Sequence, residues 1–285
     1  MGDEGSIVEF KPTEKKLAAY REEQVHLLEE KLRELETAHF DVRFKLLRLA
    51  ERLQVPRAKT FANEGLGRRL TLIARAAQNI YEIYPPDRSA FLDSDECADI
   101  AINFHAFIIN LYAMFDNIAW VVILEAGQQL EPMKIGPYSK KALAFFPKRL
   151  QDYLEQPTVK SWYDQYGKLY RDSTAHRIAP YLPQRAYNTT EGKCIEELRA
   201  QSMQMLLEAN SQASPHEKNV QLDKRQELEN QIEALGRNSL LMLLSLTAED
   251  ALPPIYIHQQ LLCDWGLAHE LVLEFITAIN AHHGP

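Results

Sequence analysis

The clearest pattern in the chain lies between residues 28 and 53. Leu28, Leu32, Leu35, His39, Val42, Leu46, Leu49 and Leu53 alternate steps of four and three, and charged residues fill the positions between them. Such spacing lines one seam of a helix. The seam predicts a long helix over 13–54, with Thr13 as its N-cap and Val55-Pro56 as its stop. It needs a partner helix, either in the same chain, the preferred reading, or in a second subunit. His39 reads as a tolerated polar layer in the seam.

Residues 57–67, RAKTFANEGLG, read as a loop. The GLG within it lacks the third glycine, the Lys-Ser/Thr pair and the preceding strand of a phosphate-binding loop, so it is expected to be a turn. Leu70, Ile73, Ala77, Ile80 and Tyr84 then share one face of a second helix, which Pro85 and Pro86 end. From Asp93 or Ser94 to Glu125 the chain is apolar on almost every face, the mark of a buried central helix. Asn103, Asn110 and Asn117 interrupt it every seven residues, with Asp116 beside the last. Buried amides must find partners. Either the asparagines form a ladder that fixes helix register, or Asp116 and Asn117 hold a polar site on a neighbouring helix.

Short helices are expected over 140–146 and 148–154, followed by a helix capped by Thr158 that runs through SWYDQYGKLYRDSTAH to the residue before Pro180. Further helices are expected over 193–209, 219–246 and 257–281. No convincing alternation of strand type appears. The fold class predicted is all-α, a helical bundle with long antiparallel helices around residues 97–125, read as one domain over 1–285.

Composition adds limits. With 46% hydrophobic and 25% charged residues the chain can bury a large core, and a net charge of −8 argues against non-specific coating of nucleic acid. The charge is uneven. From Lys134 to Lys193 eleven bases face five acids, a formal +6 in an otherwise acidic chain, compatible with a local anionic ligand or simply with a solvated basic face. Three dispersed cysteines suggest neither disulfides nor a cysteine metal site, and point to the cytoplasm. No signal-peptide pattern is seen at the N-terminus, and no run of about 18 apolar residues is expected to span a membrane. The histidines give no metal-ligand spacing, so no metal and no cofactor are expected.

The stretch that calls for chemistry is YDQYGKLYRDSTAHRIAPYLP, 163–183. Arg171 supplies a fixed cation, Asp172 a carboxylate and His176 a group that titrates near neutral pH. Asp172 and His176 are four apart, close enough on a helix for the carboxylate to orient the imidazole. Arg171 and His176 are five apart, about 140° round a regular helix, so they do not converge from one undistorted helix. The same three residues also suit a structural network at a helix end, where a cation is favoured by the helix dipole. Tyr163, Tyr166 and Tyr170 suit base stacking or, preferably, core packing.

The motif Arg171-Asp172-x3-His176, with its continuation HRIAPYLP, resembles the signature of the HEPN superfamily, over roughly Cys97 to Pro183. The resemblance implies an HEPN-like all-α core over about 68–183, flanked by the helix 13–54 and helices 193–281. It further implies metal-independent endoribonuclease activity on RNA, with Arg171 and His176 as catalytic residues and Asp172, Asp116 and Asn117 as supporting ones. A homodimer and a toxin or defence role with a protein antitoxin as partner follow from the same resemblance. The alternatives are a non-catalytic dimeric module that binds RNA, a nucleotide or a protein, and a structural dimer joined through the Leu28 to Leu53 seam.

Overall fold

The computed structural model describes residues 19–212, 214–243 and 254–283, and it is all-helical apart from four two-residue strands. Contacts divide the chain into two compact units. Of the described residues, the larger holds 20–87, 93–183, 240–243 and 254–283; the smaller holds 19, 88–92, 184–212 and 214–239.

In the larger unit α1 (Glu22–Arg52) buries Leu28, Val42, Leu46 and Leu49. Thr13, the expected cap, lies outside the described residues, and Arg21 stands at the N-cap position. The partners of the seam are intrachain: α1 packs mainly on the last helix and on the helical segment that follows it. That segment corrects the sequence reading, because residues 57–67 are helical. α2 (Pro56–Thr60) begins with Pro56 in the first turn, where no amide is needed. It runs without a break through a π-helical turn, Phe61–Gly67, into α3 (Arg68–Ile83). The glycines that suggested a turn instead permit close packing. A Cβ on Gly65 would stand 2.9 Å from Asn117 Oδ1.

α4 (Ser94–Glu125) starts on a capping box in which Asp93 accepts from the Glu96 amide and Glu96 accepts from the Asp93 amide. It is apolar and long enough to cross a membrane, with a mean hydropathy of 1.8 over eighteen residues, contrary to the expectation from sequence. It is nevertheless largely buried, and α3 and the helices that follow cover it. After α5 (Lys140–Leu143) and α6 (Lys148–Leu154) comes the helix bearing the motif. It is built as α7 (Pro157–Ser161), a second π-helical turn at Trp162–Gly167, and α8 (Lys168–His176). Here Pro157, rather than Thr158, occupies the first turn and Gln156 is the cap.

The smaller unit is a helical hairpin. α9 (Thr189–Ser211) is capped by Asn188 and Glu191, starting four residues before the expected position, and packs on α10 (Pro215–Glu233) through Ile195, Ile232 and Leu235. The helix expected over 219–246 therefore ends at Glu233. Gly236 follows at φ +85°, a conformation suited to glycine. The chain then forms β2 (Arg237–Asn238) against β1 (Arg185–Ala186). In the larger unit β3 (Leu241–Met242) pairs with β4 (Ile255–Tyr256), which leads directly into α11 (Ile257–His283).

Side-chain pairs give the helix directions. Arg69 meets Asn117 while Asn79 meets Asn103, so α3 and α4 are antiparallel. α1 and α11 run the same way, because Tyr20 meets His258 and His39 meets His269. Burial brings these histidines' pKa values down to about 4, so they are packed neutral. His39 is thus a buried member of the core. His258 donates from Nε2 to the Tyr84 carbonyl at 2.6 Å, and its Nδ1 faces the Tyr20 hydroxyl.

Candidate functional site

The π-helical turn before α8 sets the position of the motif. An extra residue in one turn shifts the face that α8 presents, and such bulges persist only where packing holds them. Two contacts do so. Gly167 lies against the Trp162 ring, where an added Cβ would stand 2.7 Å from the indole. Asp264 of α11 accepts from Trp162 Nε1 at 2.7 Å, from the Tyr166 hydroxyl at 3.0 Å and from Gln260 Nε2 at 2.8 Å. The Asp264 carboxyl is 1% exposed. Burial, opposed in part by the three hydrogen bonds, raises its pKa to about 7. Nothing in the local spacing around Asp264 singles it out, since both aromatic partners lie about a hundred residues away.

On α8 the Arg171 guanidinium pairs with Asp172 at 2.8 Å and lies 4.8 Å from the centre of the Tyr112 ring of α4. Tyr112 in turn stacks on Tyr163, 4.5 Å between ring centres. The arginine is therefore held against aromatic surface, with its charge partly balanced by its neighbour. Asp172 is spent on Arg171. His176, on the last helical turn, is exposed and has no hydrogen-bond or ion-pair partner among the described residues. The expected orientation of His176 by Asp172 is not seen. α8 is regular up to His176, so the 140° between Arg171 and His176 stands.

The asparagine stripe of α4 faces α3. Asn103 accepts from Asn79, and Arg69 of α3 donates from Nη1 to Asn110 Oδ1 and from Nε to Asn117 Oδ1, each at 2.9 Å. Asn117 thus holds Arg69 and not the motif. Asp116 is half-buried between the two arginines: burial raises its pKa, and the charges of Arg171 and then Arg69 oppose the rise. It is the member of the supporting pair that the fold places near Arg171. His105, about two turns after Cys97, reaches the backbone just past the motif, its Nε2 donating to the Pro180 carbonyl at 2.8 Å.

The three tyrosines are packing residues. Tyr170 is 1% exposed with its ring edge on Phe104, Tyr166 leans on Tyr170, and Tyr163 fills the space between Tyr112 and Tyr138. Among the described residues no group of three or more His, Cys, Asp or Glu side chains is arranged to hold a metal ion. The arrangement offers one oriented cation, one exposed imidazole and a half-buried carboxyl. Compared with known proteins, the chain matches no family model, no curated protein and no solved structure.

Proposed function

We propose that the chain is a metal-independent endoribonuclease of the HEPN type that works as a homodimer, with Arg171 and His176 as its catalytic residues. The observation that carries this reading is the contrast on α8: Arg171 is held in place by Asp172 and the Tyr112 ring, while His176, one turn and a half later, is exposed and has no partner among the described residues. An imidazole free of internal bonds is available for proton transfer.

In the reaction, His176 of one copy takes the proton of the ribose 2′-hydroxyl. That oxygen attacks the adjacent phosphorus, the P–O5′ bond breaks, and the second imidazole, already protonated, donates to the departing 5′-oxygen. A 2′,3′-cyclic phosphate and a 5′-hydroxyl result. The Arg171 fork binds the non-bridging oxygens as charge accumulates on them. Two copies are needed because 140° of helix rotation keeps Arg171 and His176 of one chain from one phosphate.

The test is incubation of single-stranded RNA with the purified chain and a chelator, beside His176→Ala and Arg171→Gln, with light scattering for oligomeric state. Cleavage by the wild type that both variants lose supports the proposal. Cleavage that survives His176→Ala, or a monomer that cleaves, removes it. The pairing of Asp172 with Arg171 favours a second reading, a binding module in which that carboxylate lowers the demand for a tightly held phosphate; RNA binding without cleavage is its signature.

A further inference from the structure

At the Asn110–Asn117 end of the asparagine stripe, the first π-helical turn, α3 and α4 line an open groove of about 390 Å³. Arg69 forms one wall. Asn117 Oδ1 holds its Nε and Asn110 Oδ1 holds its Nη1. The Asn110 amide is itself fixed, since its Nδ2 donates to the Ala106 carbonyl at 2.7 Å, which turns its oxygen toward Arg69. Two neutral carbonyls orient a guanidinium without neutralising it. Among the described residues no carboxylate lies within 4 Å of Arg69, and its Nη2 donates to nothing. Burial works against this cation; the Asp116 carboxyl, whose own ionisation burial disfavours, opposes that only at a distance.

The rest of the groove agrees with an anionic occupant. Arg68 lines it, paired with Glu64, and Phe61 forms its other end, stacked on Trp120 with 5.1 Å between ring centres. Arg57 stands over both rings with no ion pair of its own among the described residues. A half-buried, pre-oriented and uncompensated fork in a groove of this size suits a tetrahedral oxyanion, which accepts two parallel N–H bonds. Gly65 is what lets the chain come this close to Asn117.

We infer that the groove between the Phe61–Gly67 turn and α4 is a phosphate-binding site in which Arg69, positioned by Asn110 and Asn117, grips the phosphate oxygens. The site does not depend on Arg171 or His176 acting as catalysts. Its phosphate belongs either to a small phosphate ester or to the backbone of single-stranded RNA.

The test is calorimetric titration of the full chain, without divalent metal, using inorganic pyrophosphate and a 2′-O-methylated RNA decamer that resists cleavage. Saturable binding of pyrophosphate is expected. Arg69→Gln should weaken it by about 10- to 100-fold, the range of a lost charged hydrogen bond, and Arg69→Lys should recover only part of the loss. Glu64→Gln removes an exposed acid from the lining and should tighten binding by about two- to fivefold; it serves as the deciding variant if Arg69→Gln fails to fold. A decamer that displaces pyrophosphate in an Arg69-dependent way identifies RNA as the source; a decamer that does not identifies a small phosphate ester. No saturable binding of either probe, affinity unchanged in folded Arg69→Gln, or affinity unaltered by Glu64→Gln overturns the inference.

Discussion

Asp264 gives a sharp test of what holds the motif helix in place. With its pKa raised to about 7 from an ordinary 3.8, the folded chain keeps a proton there that the unfolded chain releases. Between those values the folded state binds more protons, so stability is full below pH 3.8 and falls as pH rises to 7. At about 1.4 kcal/mol per unit, the loss at pH 8 is about 4 kcal/mol. Asp264→Asn imitates the protonated acid: its oxygen accepts from Trp162 and Gln260, and its amide donates to the Tyr166 oxygen. The variant should match the wild type at pH 4 to within about 1 kcal/mol and be more stable at pH 8 by about 4 kcal/mol. Asp264→Ala leaves three half-buried donors without their acceptor and should be less stable than the wild type at pH 4, by about 1 kcal/mol for each. The assay is urea unfolding followed by tryptophan fluorescence at several pH values, since Trp162 bonds to Asp264 directly. Taking the Asn-minus-wild-type difference cancels the contribution of the buried His39, His258 and His269, which falls in part of the same range. A difference that stays flat from pH 4 to 8, or that shrinks as pH rises, refutes the argument.

Acid should have the opposite effect through the buried imidazoles. His258 is held neutral with a pKa of about 4 against 6.5, so stability present above pH 6.5 is lost as pH falls to 4, by about 3 kcal/mol for this residue; His258→Gln should flatten that limb of the pH profile. Gly65→Ala sets a methyl 2.9 Å from Asn117 Oδ1 and should cost about 1–3 kcal/mol in thermal or urea unfolding, with phosphate affinity falling alongside. Trp265→Ala, which empties the largest fully buried side chain between His39 and His269, should cost about 3–5 kcal/mol by urea unfolding. His176→Ala should change stability by less than about 0.5 kcal/mol, because the exposed ring bonds to nothing among the described residues, while removing the RNA cleavage proposed above.

The sequence by itself determined the all-α class and most of the long helices with their buried faces, though not the helical run through residues 57–67 or the end of α10 at Glu233. The seam from Leu28 to Leu53, the span of α3 and the capping box that starts α4 are all local signals: a 3.6-residue period, a proline stop, a short polar side chain within reach of free amides. It also located Arg171, Asp172 and His176 on one helix end. Tertiary structure decided what those side chains meet. The two π-helical turns exist because Gly65 and Gly167 admit Asn117 and Trp162 from outside the turn or across it, and glycine in a sequence signals a loop just as well. Asp172 turned to Arg171 rather than His176, and Asn117 to Arg69 rather than the motif, because the rotation of α4 between its neighbours sets which polar group finds which partner. Asp264 and Arg69 carry no local mark at all. Their roles come from desolvation, and desolvation is a property of the packed interior, which no stretch of sequence holds alone.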